Sequence, residues 1–172
     1  MRVLVIRPEP GASATAARLL AAGHTPIVSP VLAITPLPCR LAAPPGGWQA
    51  ILFSSAAGVR AAPEPLAPRD TLVLCVGPAT AEAANAAGFS QVLVADGDAK
   101  ALKALAAARL EPTRGAVLYA SGETVRTDFT VSLAPLGLSV VRQVLYRTER
   151  LPLSREALGA LEVGAVDAVG FY

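Results

Sequence analysis

The chain has 172 residues, of which 53% are hydrophobic and 16% charged; that is enough apolar mass to bury a core, which excludes intrinsic disorder. Fifteen Lys and Arg against thirteen Asp and Glu leave a net charge of +2, and the basic residues are scattered, so no nucleic-acid surface is expected. The length allows one ordinary domain or two small ones. No segment reads as a signal peptide or a bilayer span, so a cytoplasmic protein without membrane contact is expected.

In chain order, β-branched runs alternate with alanine–leucine helices. RVLVI (2–6) reads as a buried strand, followed by a helix near 13–22 that Gly23 stops at its C-terminal cap. His24, the only histidine, then reads as a capping or solvated residue, and a zinc-type metal site is not expected. Cys39 and Cys75 form no CxxC and read as small, buried or half-buried thiols in a reduced compartment. Strands are predicted at 25–30, 50–53, 71–76, 91–95, 115–120 and 138–146, with a last one, DAVGFY, at 167–172. Gly77 with Pro78 starts one helix and Gly88 ends it. Asp98 caps a helix whose stripe is Leu102, Leu105 and Leu110. In 123–136, Val125, Phe129, Leu133 and Leu136 share a face, although Thr130, Val131 and Pro135 make a poor helix. Ser154 caps a helix bearing Leu158 and Leu161.

Strand, helix, strand in succession, with continuously apolar strands, predicts α/β architecture with parallel sheets covered on both faces. Residues 39–143 supply a complete unit of five strands, whereas the two ends cannot make a sheet alone. The expectation is therefore two flavodoxin-like α/β domains, one inserted in the other. The terminal domain takes 1–34 plus 151–172, the inserted one 39–143, and a two-stranded hinge at 33–38 and 144–150 joins them. The closing strand has no loop or helix after it, so the terminal domain is expected to be truncated at its C-terminus.

Four strand ends open into helices through small, hydroxyl-bearing loops: RPEPGAS (7–13), FSSAAGV (53–59), VGPATA (76–81) and YASGET (119–124). Ligands of parallel α/β sheets bind at the carboxyl ends of strands, where helix N-termini offer free N–H groups to anions. The row implies an anionic ligand wide enough to touch several loops. Ser, Thr and Gly are also the ordinary helix caps, so each loop has a purely structural reading. No GxGxxG or GxxxxGK[ST] is present, which leaves a flavodoxin-like nucleotide site without a phosphate signature. There is no Ser-His-Asp set, and no pair of carboxylates stands out.

Taken in order, VLVIRPEPGA, WQAILFSSAAGVRA, CVGPATAEAANAAGF, VLYASGETVRTDF and QVLYRTE resemble the uroporphyrinogen-III synthase family along nearly the whole chain. The resemblance implies a cofactor-free, usually monomeric lyase of tetrapyrrole (haem) biosynthesis. Such an enzyme closes hydroxymethylbilane, with inversion of ring D, and binds this octacarboxylate in a cleft between two α/β domains. It further implies that Thr80, Ser54, Ser55, Gly77, Ser121, Gly122 and Arg126 contact substrate, with Arg7 a further substrate-binding residue. Tyr146 would assist departure of the hydroxyl, its phenol protonated at neutral pH; a hinge aromatic that only packs is the alternative. Ala57 stands where many relatives carry a polar residue, and Ser121 where some have arginine. The family continues past the last strand with a serine–proline loop facing the cleft, whereas this sequence stops at Tyr172. A non-catalytic α/β module binding a small anion, or an inactive relative, is the alternative function.

Overall fold

The computed structural model describes residues 1–170; Phe171 and Tyr172 of the predicted terminal strand lie outside the described residues. In chain order the elements are β1 (Arg2–Val5), α1 (Gly11–Ala21), β2 (Thr25–Val28), β3 (Leu32–Pro36), β4 (Trp48–Phe53), α2 (Ala56–Arg60), β5 (Leu72–Cys75), α3 (Pro78–Ala86), β6 (Val92–Val94) and α4 (Ala99–Arg109). They continue with β7 (Ala116–Gly122), α5 (Phe129–Leu133), β8 (Val140–Arg150), α6 (Arg155–Glu162) and β9 (Ala168–Gly170). Among the described residues no helix is long and apolar enough to cross a membrane.

The chain divides into two compact units, Met1–Thr35 with Thr148–Tyr172, and Pro36–Arg147. In the first, the sheet order is β2-β1-β9 and both pairings are parallel. Leu4 and Ile27 pack on Ala157 and Ala160 of α6. The Ser154 hydroxyl caps this helix by accepting from the Ala157 N–H, and its own N–H donates to the buried Ser29 hydroxyl at 2.8 Å. The leucines of α6 do not face the sheet: Leu158 and Leu161 are exposed, and the alanine side makes the close approach. His24 has a backbone role at the end of α1, where its N–H closes on Leu19 O.

In the second unit β4, β5, β6, β7 and β8 lie in the order β8-β7-β4-β5-β6, every pair among them parallel. Counted along the unit, this is a 3-2-1-4-5 order rather than the 2-1-3-4-5 of flavodoxin. The α/β class with parallel sheets is as the apolar runs predict, but the flavodoxin-like order is corrected. Ile51, Phe53, Val73, Cys75 and Leu118 point to one face, under α2 and α3. Leu52, Leu74, Val117 and Tyr119 point to the other, under α4 and α5. Each such side chain removed from water contributes about 1.5–3 kcal/mol, so the doubly covered sheet holds most of the stability.

Helix ends follow the local chemistry. Gly77, extended at φ −163°, is the N-cap of α3 with Pro78 at its first position. At the other end Gly88 adopts φ +88°, which permits the Gly88 N–H to reach Asn85 O and the Phe89 N–H to reach Ala84 O, and delivers Phe89 to the core. The Asp98 carboxylate caps α4 by accepting from the Ala101 N–H.

One predicted helix is much shorter than expected. Instead of 123–136, only Phe129–Leu133 is α-helical, followed by a 3-10 turn at Ala134–Leu136. Asp128 sets the start, because its carboxylate accepts from both the N–H and the hydroxyl of Thr130. Upstream, the Gly122 and Glu123 carbonyls accept from the Arg142 guanidinium, which holds 123–128 as a loop.

Candidate functional site

Doubly wound sheets bind ligands where the strand order reverses, outside the carboxyl ends of the strands. In the second unit that point lies between β4 and β7, and a cavity of about 480 Å³ opens there. Its lining comes from Ser54 and Ser55 after β4, Val76 after β5, Gly97 and Asp98 before α4, Tyr119 in β7, Thr124–Thr127 and Phe129 after it, and Tyr146 in β8. The size is that of ordinary small-molecule sites.

Of the residues singled out in the sequence, Ser54, Ser55, Arg126 and Tyr146 meet in this cavity. Gly122 is buried beside it and makes room for the Tyr146 ring. Gly77 is the N-cap of α3, and Thr80 is buried within that helix; neither lines the cavity. Ser121 is buried with its hydroxyl engaged, donating to Gly122 O and accepting from Arg142 Nε at 2.9 Å. Arg7 belongs to the first unit, where its Nη1 donates to Thr15 Oγ1 at 3.2 Å.

The hydroxyls in the cavity are not equivalent. Ser55 Oγ accepts from the Ala57 N–H and so caps α2. Tyr119 donates its single hydroxyl proton to Thr127 O at 3.2 Å, so at the 3.3 Å contact with Ser54 the serine is the donor. Burial pushes the Tyr119 phenol above its ordinary value, against a smaller lowering by the Ser54 hydrogen bond. Its ring meets Phe129 edge-on, 5.2 Å between centroids. Ser54 therefore turns lone pairs, not its proton, to the cavity, so in this arrangement it is an acceptor site.

Charge is sparse. Arg126 is exposed at one side of the lining and Asp98, occupied with its helix cap, stands in the same lining. Behind the wall, Arg142 donates to Ser121 Oγ, Gly122 O and Glu123 O, and its Nη1 lies 3.7 Å from Asp128 Oδ2. The Thr130 hydrogen bonds, and secondarily the Arg142 charge, hold the Asp128 carboxyl below its ordinary range. Among the described residues no group of three or more His, Cys, Asp and Glu could hold a metal ion.

The sequence reading had Tyr119 and Thr124 only as the ends of the YASGET loop, without roles of their own, and it missed Thr127, Asp128 and Arg142. The signal for Arg142 was present: a charged residue inside an apolar strand run has to be paired where it is buried. For Tyr119 the signal was a phenol inside a buried strand, whose hydroxyl has to find a partner.

A family model described as uroporphyrinogen-III synthase HemD matches residues 13–172. A mutant uroporphyrinogen III synthase from the extremely thermophilic bacterium Thermus thermophilus has a similar structure, with 25% identity and a TM-score of 0.60, covering 98% of this chain and 71% of that one. The uroporphyrinogen-III synthetase of Helicobacter pylori shares the fold at 16% identity and a TM-score of 0.57, covering 94% of this chain and 68% of that one. No curated protein matches the chain. With 160 of its 172 residues inside the family model, the chain belongs to the uroporphyrinogen-III synthase family.

Proposed function

We propose that the chain acts as a uroporphyrinogen-III synthase, a cofactor-free, monomeric, cytoplasmic lyase that closes hydroxymethylbilane with inversion of ring D. The observation that carries this reading is the cavity at the switch between β4 and β7, where Ser54, Tyr119, Thr124, Thr127 and Tyr146 supply hydroxyls and Arg126 a guanidinium, in a chain of this family.

The chemistry asks little of the protein in charged catalysis. Hydroxymethylbilane loses its hydroxyl readily to a reactive azafulvene, which closes unaided to isomer I. To obtain isomer III the protein must hold the chain so that the substituted carbon of ring D is attacked. Orientation of this kind supplies several kcal/mol without a strong acid or base. Carboxylates of the substrate meet Arg126 and the hydroxyl donors, and a hydrogen bond to a charged group contributes about 1.5–3 kcal/mol net. Pyrrole N–H groups are donors and match the acceptor that Ser54 presents. Tyr146 donates its hydroxyl proton to the departing hydroxyl. A 480 Å³ cavity takes part of a four-ring substrate. In this reading the two compact units are the two domains, with 33–38 and 144–150 as connecting segments; Gly77 offers backbone at the N-cap of α3, and the buried Thr80, Ser121 and Gly122 shape the site behind its surface.

The deciding experiment generates hydroxymethylbilane in place, adds the chain, oxidises, and separates uroporphyrins I and III. Isomer III above the spontaneous background is expected. Isomer I alone, with the chain folded, would leave a small-anion-binding module as the better reading.

A further inference from the structure

We propose that Arg142 is a positioning residue for this reaction: its guanidinium holds segment 122–128 in the arrangement that admits the Tyr146 ring and keeps Arg126 in the cavity lining. The inference rests on the synthase reading of the cavity.

The register explains why an arginine is needed. Along β7 and β8 the pairing runs Tyr119 with Arg142 and Ser121 with Val144, then shifts so that Gly122 pairs with Tyr146. At this irregularity the ladder cannot serve every carbonyl of the departing chain, and buried carbonyls need a donor. Arg142, with a side chain 23% exposed, supplies three donated bonds there: Nε to Ser121 Oγ at 2.9 Å, and Nη2 to Gly122 O and Glu123 O, both at 2.8 Å. Asp128, at the far end of the same segment, lies 3.7 Å from Nη1. One planar fork thus grips both ends of the loop, a geometry that a lysine ammonium cannot reproduce.

The segment is tied to the reacting side as well. The Glu123 N–H donates to Tyr146 O at 2.8 Å, and Thr127 O accepts the Tyr119 hydroxyl at 3.2 Å. Thr124, Val125, Arg126 and Thr127, the residues so held, line the cavity. With its donors turned to Ser121, Gly122, Glu123 and Asp128, Arg142 acts through the loop and not as a principal contact of substrate carboxylate. Loosening the loop would leave the azafulvene free to close in the spontaneous way, so the product isomer ratio reports the function.

The test compares the wild-type chain with Arg142→Lys and Arg142→Gln by three readouts. They are amide hydrogen exchange at Glu123–Thr127, steady-state kcat and KM, and the isomer III to I ratio. In both variants exchange at Glu123 is expected to rise about tenfold or more while β4 and β5 amides stay protected. The isomer ratio shifts toward I, and kcat falls more than KM rises. Unchanged exchange at Glu123 overturns the proposal, and so does raised exchange with an unchanged isomer ratio and kcat. If Arg142→Gln does not fold, Arg142→Lys carries the same comparison. If the wild-type chain itself makes no isomer III, the synthase reading fails, while the exchange arm still decides whether Arg142 orders the loop.

Discussion

Gly122 lies so close to Tyr146 that a Cβ added at position 122 would stand 2.7 Å from the ring Cζ and 3.0 Å from the hydroxyl oxygen. The two residues pair across β7 and β8 at the register shift. The absence of a side chain at 122 is therefore what lets the phenol occupy its place in the cavity wall.

Gly122→Ala should separate folding from function. The atoms met are the far end of the tyrosine, which can turn away, so stability is expected to change by no more than about 1 kcal/mol. Displacing the phenol should lower isomer III formation about tenfold or more, and adding Tyr146→Phe to Gly122→Ala should cost little further. Full activity in Gly122→Ala would remove Tyr146 from the mechanism.

The chain of hydrogen bonds from Ser54 through Tyr119 to Thr127 O has a direction, because burial keeps the Tyr119 phenol protonated and its proton is given to Thr127 O. Tyr119→Phe leaves that carbonyl without its donor and should destabilise the chain by about 0.5–1.5 kcal/mol in urea unfolding. Ser54→Ala removes an acceptor from the cavity. Its expected signature is a raised KM for hydroxymethylbilane with kcat nearly intact, as for lost uniform binding. A fall in kcat alone would contradict the acceptor role.

Asp128 couples stability to acid pH. Hydrogen bonds from Thr130, with a smaller contribution from the Arg142 charge, depress its carboxyl below the ordinary 3.8. A depressed folded-state value means that the folded chain binds the proton less readily than the unfolded one. The stabilisation is present above 3.8 and is lost as pH falls through the folded value. Above about pH 5, Asp128→Asn should be less stable than wild type, and the difference should shrink as pH falls below the ordinary 3.8. Parallel stability curves across this range would refute the assignment.

The two thiols should differ in reactivity. Cys75 is fully buried in β5 and its thiol is pushed up to about 12, whereas Cys39 is half-buried with a smaller upward push, both from burial. Since the thiolate is the nucleophile, alkylation at pH 8 is expected at Cys39 first, and at Cys75 only on unfolding. Equal rates in the native protein would mean that the β5 face opens readily.

Much of the architecture was legible in the order of residues. Continuous apolar runs such as AILF and TLVLCV, alternating with capped helices, implied a parallel sheet covered on both faces, and Gly77-Pro78, Asp98 and Ser154 start the helices where their chemistry requires. These are local properties: burial periodicity and capping depend on neighbours a few residues away. The ordered run of motifs also carried the family, and Ser54, Ser55, Arg126 and Tyr146 were found to share one cavity.

Strand order and the allocation of hydrogen bonds were decided only by the tertiary structure. The 3-2-1-4-5 arrangement depends on which strands pair across the sheet, a choice that apolar runs of similar composition do not encode locally. Segment 123–136 has a helical spacing of apolar residues, yet the Gly122 and Glu123 carbonyls find Arg142 and the helix begins only after Asp128. Ser54 and Tyr119 are 65 residues apart, and Ser121 and Arg142 are 21 apart. Whether a serine in a small loop caps a helix, braces an arginine or faces a ligand is settled by partners that distant, because a hydroxyl has one proton to give and the fold determines what stands within its reach.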